Sequence, residues 1–238
     1  MINSEQRFSK KVGEEYDLFN LSLPHQDEIQ TRTVETLSKH FLINNKLKVL
    51  EIGFGTGITS VEILKDERVY LIGIDNEPKM LEKALEKLKN ISDERFEFHT
   101  IDALGYLKNI PDKTFDAIVS VWVLHNIDKE NRSLILKEIY RTMKIGGIFV
   151  NGDKIAVQNK DEHKKHLEWQ MKQFDVFENI NRPDLKKEWV EHYQEDESPD
   201  RILYEDDLIR KLSGLGFENI KIENRHYLDA IVSTIKIK

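Results

Sequence analysis

A chain of 238 residues suits one α/β domain with an insertion and is short for two independent domains. The absence of cysteine excludes disulfides, thiolate metal sites and a cysteine nucleophile, and it accords with an expected cytoplasmic location. The formal charge of −7, with short basic clusters such as Lys164-Lys165 and Lys186-Lys187 followed by Glu188, argues against a nucleic-acid partner and favours a small-molecule or protein substrate.

No apolar run is long enough to span a bilayer, and the opening MINSEQRFSKK lacks the apolar stretch of a signal peptide, so no membrane association is expected. Residues 1–47 precede the first strand pattern and read as a largely helical cap. Apolar, β-branched runs then recur at 48–52 (KVLEI), 69–74 (VYLIGI), 95–100 (RFEFHT), 115–121 (FDAIVSV) and 147–152 (GIFVNG). Between them lie helical patterns. Pro78 to Asn90 aligns Met80, Leu81, Ala84, Leu85 and Leu88 on one face, and Asp128 caps a helix expected to run through Met143 and end at Gly146-Gly147. Strands alternating with helices imply a parallel sheet. The core is placed at 48–153, and residues 154–204 form a lid insertion. The last helix and a hairpin occupy 205–238. The hairpin must be antiparallel, because a turn expected at Asn224-Arg225 leaves no room for a crossover.

The first strand feeds a glycine loop, Gly53-Phe54-Gly55-Thr56-Gly57. A dinucleotide fingerprint needs glycine at position 58, where this chain has Ile58, so pyrophosphate binding is poorly supported. Asp75 ends the second strand, where a carboxylate can accept hydrogen bonds from ribose hydroxyls or cap the Pro78 helix. Asp102 ends the third, where it can meet an adenine amino group or cap the helix ALGYLKN. Together they outline a site for an adenosine.

In order, VLEIGFGTG, GIDNEPKMLEKA, TIDAL, FDAIVSVWVLHNI and LKEIYRTMKIGGIFV resemble the motifs of class I S-adenosylmethionine-dependent methyltransferases. The resemblance covers about residues 8–155 and the terminal hairpin. It implies a Rossmann-like seven-stranded sheet, mostly parallel with an antiparallel C-terminal hairpin, under a helical lid built from the N-terminus and the insertion after strand five. It further implies that S-adenosyl-L-methionine is the cofactor, with S-adenosyl-L-homocysteine as product. Glu51, Gly53, Gly55 and Gly57 would surround the methionine part, and Asp75 would hold the ribose. Asn76 and Met80 would flank the adenine, whose edge Asp102 and the Ala103 amide would read. Ser120, Val121 and Trp122 would line the sulfonium side, and Tyr16, in FSKKVGEEYDLF, would lie near the carboxylate. Trp122 reads equally well as packing.

Methyl transfer from a sulfonium needs no covalent nucleophile. His125, in VLHNI, is the candidate base, with an orienting or packing role as its alternative. Asp153, His166, Trp169, His192, Tyr193 and Arg201 are candidates for the acceptor pocket and lid, and Asp153 could instead cap the lid helix. His163 and His166 share a helical face with Glu162 nearby, but no third ligand has fixed spacing and no metal is assigned. The expected activity is methylation of a small molecule by a monomer or homodimer. The stretch SLPHQDEIQTRTVETL and the long insertion are similar to carboxy-S-adenosylmethionine synthases, an alternative reading. In those enzymes lid arginine binds the extra carboxylate, whereas here the acidic VEHYQEDESPD precedes Arg201. A non-catalytic cofactor-binding subunit is a further alternative.

Overall fold

The computed structural model describes residues 15–41 and 45–238. Seven strands form one sheet in the order β3-β2-β1-β4-β5-β7-β6: β1 (Leu47–Ile52), β2 (Val69–Asp75), β3 (Phe96–Thr100), β4 (Phe115–Val121), β5 (Met143–Lys154), β6 (Phe217–His226) and β7 (Asp229–Lys236). The first five pair in parallel, and β7 runs antiparallel to both β5 and β6. Before β1 come α1 (Tyr16–Phe19) and α2 (Gln26–His40). Within the parallel part come α3 (Ile58–Ile63), α4 (Pro78–Leu88), α5 (Ala103–Lys108) and α6 (Lys129–Thr142).

The central strands read as near-continuous apolar runs because both sheet faces are covered. Successive residues alternate between them. Leu50, Ile72, Ile118 and Phe149 pack with Leu107 of α5 and Ile135 and Ile139 of α6. Their neighbours Val49, Leu71, Ala117 and Val150 pack with Ile29 and Leu37 of α2 and Ile63 of α3.

Two sequence expectations change at chain reversals. The helix beginning after the Asp128 cap stops at Thr142, and Met143 already pairs with Phe115. Gly146-Gly147 therefore lie inside β5, in the stretch where its register against β4 shifts between Phe115 and Ala117. The hairpin turns at Tyr227-Leu228 rather than Asn224-Arg225. Tertiary contacts set that turn: Leu228 is buried among lid side chains, and the Arg225 guanidinium donates to Ile155 O (2.8 Å) and pairs with Glu205.

The insertion leaves the carboxyl end of β5 as α7 (Lys160–Gln173), α8 (Val176–Asn179) and α9 (Pro183–Asp196), then returns to α10 (Glu205–Leu215). Its two ends are clamped together, with Ala156 N donating to Leu203 O (2.8 Å) and Glu205 N to Ala156 O (2.9 Å). Phe174, Phe177, Leu185, Trp189 and Tyr193 form a separate apolar cluster with Phe19 and Leu23 from the N-terminal segment. Phe19 stacks on Trp189 with ring centroids 3.6 Å apart. The N-terminal and inserted helices thus make one cap, and Trp122 packs against it from the strand side.

Candidate functional site

The sheet order reverses beside β1, since the chain moves outward through β2 and β3 and then restarts at β4 on the other side. The carboxyl ends of β1 and β4 therefore flank the crevice where open α/β sheets take ligands. A pocket opens there, lined by the glycine loop (Gly53, Gly55), the β2 end (Asp75, Asn76, Glu77, Met80), the β3 end (Asp102, Ala103, Leu104) and the β4 end (Val121, Trp122, Val123). Ile52, Ile74, Ile101, Asn126, Ile127, Asn131 and Ile135 complete it, none of them assigned a site role from sequence.

Asp75 lies at the centre. Its Oδ2 accepts from Gly55 N (2.9 Å) and its Oδ1 from Glu77 N (2.9 Å), and burial raises its pKa. The alternative cap role passes to Glu77, whose side chain accepts from Lys79 N. Asp102 caps α5, accepting from Gly105 N (2.7 Å), and lines the pocket as well. Gly57 serves another purpose: its φ is +84°, and a Cβ there would stand 2.9 Å from Ala84 Cα, so it lets α3 and α4 approach.

Glu51, Gly57 and Ser120 do not line the open pocket. Glu51 is buried, with Ser60 Oγ donating to it at 2.5 Å, and burial pushes its pKa up to about 8 against the opposing effect of that hydrogen bond. A Val123 methyl carbon lies 2.2 Å from where a Gly53 Cβ would be, so Val123 packs directly over the Gly53 backbone at the glycine-loop end of the pocket. Ser120 Oγ is buried with no hydrogen-bond partner among the described residues. The Tyr16 side chain lies outside the described part of the structure.

Behind the β4 wall is a buried polar cluster. Trp122 has a left-handed φ of +52°, held by its N–H donating to Gly152 O (2.8 Å) and its Nε1 to Asp229 Oδ1 (2.9 Å). Burial pushes the Asp229 carboxyl up to about 6, opposed chiefly by the Trp122 hydrogen bond. His125 Nδ1 is 2.5 Å from Asp153 Oδ1, and Asp153 is fully buried in β5. Asp153 does not cap the lid helix; Asn159 does.

The lid candidates separate. His192 and Tyr193 are buried, with Lys154 Nζ 4.3 Å above the Tyr193 ring. Trp169 instead stacks on Tyr227 of the hairpin turn at 3.9 Å, and His166 meets the same ring edge-on. Neither lines the pocket, and nor do His125, Asp153, His192, Tyr193 or Arg201. His163 pairs with Glu197 (2.5 Å) rather than acting with His166. Arg201 donates to the carbonyl of the pocket residue Asn126 (2.6 Å).

A family described as a methyltransferase domain matches residues 49–147. The carboxy-S-adenosyl-L-methionine synthase of Nautilia profundicola is 30% identical over 165 residues, covering 68% of either chain. The chain belongs to the class I S-adenosylmethionine-dependent methyltransferases. The synthase of Helicobacter pylori is 27% identical over 172 residues, covering 70% of either chain. Among solved structures, the [4+2]-cyclase SpnF matches with a TM-score of 0.61 at 15% identity, covering 87% of this methyltransferase and 80% of that chain. A Haemonchus contortus phosphoethanolamine N-methyltransferase in complex with S-adenosylhomocysteine matches at 0.61 and 14%, covering 87% and 53%. At such identities these two show the fold alone.

S-adenosylmethionine is the cofactor of this methyltransferase family. The lining fits its adenosine part: the Asp75 carboxylate can accept from two vicinal hydroxyls, the apolar side chains of Met80 and Leu104 can pack on a purine, and the Asp102 carboxylate can meet its amino group. Among the described residues, no helix is long and apolar enough to cross a membrane.

Proposed function

We propose that this methyltransferase modifies a small-molecule acceptor held between the cofactor pocket and the helical cap, with residues 1–238 acting as one domain. The observation that carries this reading is that Asp75 and Asp102 line one pocket whose β4 wall, at Trp122, also packs against the cap. A cap built from two distant chain segments excludes water and limits the size of what enters.

Bound S-adenosylmethionine supplies a methyl group already activated on a sulfonium. Asp75 holds the ribose hydroxyls, Met80 and Asn76 flank the purine, and Asp102 with the Ala103 amide reads its edge. Glu51, Gly53, Gly55, Gly57, Ser120 and Tyr16 belong to the methionine end. Val121 and Trp122 shape the transfer side, where holding two reactants in line can lower a barrier by about 7–11 kcal/mol. His125, oriented by Asp153, and the buried His192 and Tyr193 belong to the acceptor side. Trp169 and His166 are better read as a brace for the hairpin turn.

Native mass spectrometry of protein purified without added ligand tests the reading. Retained S-adenosylmethionine or S-adenosylhomocysteine supports it. A second reading, a carboxy-S-adenosylmethionine synthase, is favoured by the relatives bearing that name and by Arg201 standing against the pocket residue Asn126. A retained cofactor heavier by a carboxylate would establish it instead. Calorimetry showing no binding of either ligand would exclude both.

A further inference from the structure

We propose that His125, His192 and Asp196 bind a divalent transition-metal ion behind the β4 wall of the pocket. His125 comes from the turn after β4, while His192 and Asp196 are four residues apart on α9 and so share one face. The three side chains converge: His125 Nε2 and His192 Nε2 are each 3.9 Å from Asp196 Oδ2, and all three ligand atoms lie within 4.8 Å of one another. A point in their plane equidistant from atoms so spaced is at most about 2.5 Å from each, within a few tenths of an ångström of an ordinary zinc–imidazole bond of about 2.0–2.1 Å.

Three further features make this a built site. All three side chains are buried. The carboxylate of Asp153 engages His125 Nδ1, which leaves Nε2 as the electron-pair donor and supplies the carboxylate–histidine support that metal ligands commonly have. Asn151 Nδ2 in turn donates to Asp153 Oδ2 (3.2 Å). The surroundings are also rich in negative charge. Asp153, Asp196, Glu197 and Asp229 outnumber the fixed cations Lys154 and Arg132, and the further charges acting on Arg132, Asp128 and Arg201, are opposite in sign and leave that excess unchanged. Lys154 sits 3.5 Å from Asp196 Oδ2 but 3.1 Å from Glu197, so it keeps a carboxylate partner when Asp196 turns to a metal.

Two imidazoles and one carboxylate suit zinc or ferrous iron and leave positions for water or a further oxygen ligand. Val123 and Asn126, on either side of His125 in the chain, line the cofactor pocket. Resting on the methyltransferase reading, the site would thus take an acceptor that offers an oxygen, a hydroxyl or phenol, to the metal. His125 then serves as a ligand in place of the base expected from sequence.

The test titrates metal-free protein with Zn2+ by calorimetry and counts bound zinc by mass spectrometry after dialysis. One zinc per chain is expected, with affinity at least 10-fold weaker in His192→Ala and Asp196→Asn, and 10–100-fold weaker in Asp153→Asn. His226→Ala, which removes a ligand from the more exposed His25–Glu28–His226 group, should leave this binding unchanged. Substoichiometric zinc in wild type, or equal binding in every variant, would overturn the site. Should the buried variants misfold, Co2+ in wild type gives an independent answer: two paramagnetically shifted exchangeable imidazole protons are expected, and none would refute the proposal. S-adenosylhomocysteine binding measured on the same samples separates loss of the metal site from failure of the cofactor reading.

Discussion

The indole of Trp122 donates to the carboxylate of Asp229 across 2.9 Å, tying the end of β4 to the start of β7 over the intervening β5. The bond holds Trp122 in a left-handed conformation that a bulky residue rarely adopts, and it places that ring between cofactor pocket and cap. Trp122→Phe keeps most of the apolar area but leaves a buried carboxylate short of a donor. A loss of about 1–3 kcal/mol is expected, measured as the urea unfolding free energy. Unchanged stability would mean that the bond does not hold the wall.

Asp75 offers the pocket a carboxylate already oriented by Gly55 N and Glu77 N. Asp75→Ala should weaken S-adenosylhomocysteine binding about 100-fold or more, close to 3 kcal/mol, because two charge-assisted hydrogen bonds are lost. Calorimetry reads this directly, and near-wild-type affinity would remove Asp75 from the ribose role.

Glu51 keeps its proton to about pH 8 in the folded chain, against an ordinary value of 4.5. Across that window the folded state binds more protons than the unfolded one, so this residue makes stability fall as pH rises from about 4.5 to about 8. Glu51→Gln should flatten that decline and raise the unfolding midpoint at pH 8 relative to pH 5. If the cofactor ammonium sits beside Glu51, ligand binding at pH 7 will release up to roughly one proton, visible as a dependence of calorimetric heat on buffer ionisation enthalpy.

Val123 occupies the space over Gly53. Val123→Ala should open the glycine-loop end and tighten S-adenosylmethionine binding several-fold, chiefly through a faster association rate in stopped-flow measurements. Weaker binding would show that Val123 is a contact instead of an obstruction. Gly53→Ala should abolish binding, since the added methyl has nowhere to go.

The parallel sheet was legible because both its faces are covered, so its strands carry uninterrupted apolar runs such as Val69 to Ile74. Helix starts were equally legible where a side chain caps them, as at Asp128 and Asp102. Element ends were harder. The β6–β7 turn moved to Tyr227-Leu228 because Leu228 enters the lid core and Arg225 grips Ile155, contacts with residues far away in the chain. The lid histidines mislead for a related reason. His163 and His166 have the more conspicuous spacing, yet one pairs with Glu197 and the other faces Tyr227. The spacing of His192 and Asp196 was also visible, but no local signal showed that His125 would meet them.

By itself, the sequence determined the sheet, the glycine loop and the two acids at the ends of β2 and β3 that line one pocket, because periodicity, turns and caps act over a few residues. Only the tertiary structure decided that Val123 covers Gly53, that Trp122 reaches Asp229, and that His125, His192 and Asp196 converge. Those are meetings between segments up to about a hundred residues apart, fixed by how the cap and β7 pack onto the carboxyl ends of β4 and β5.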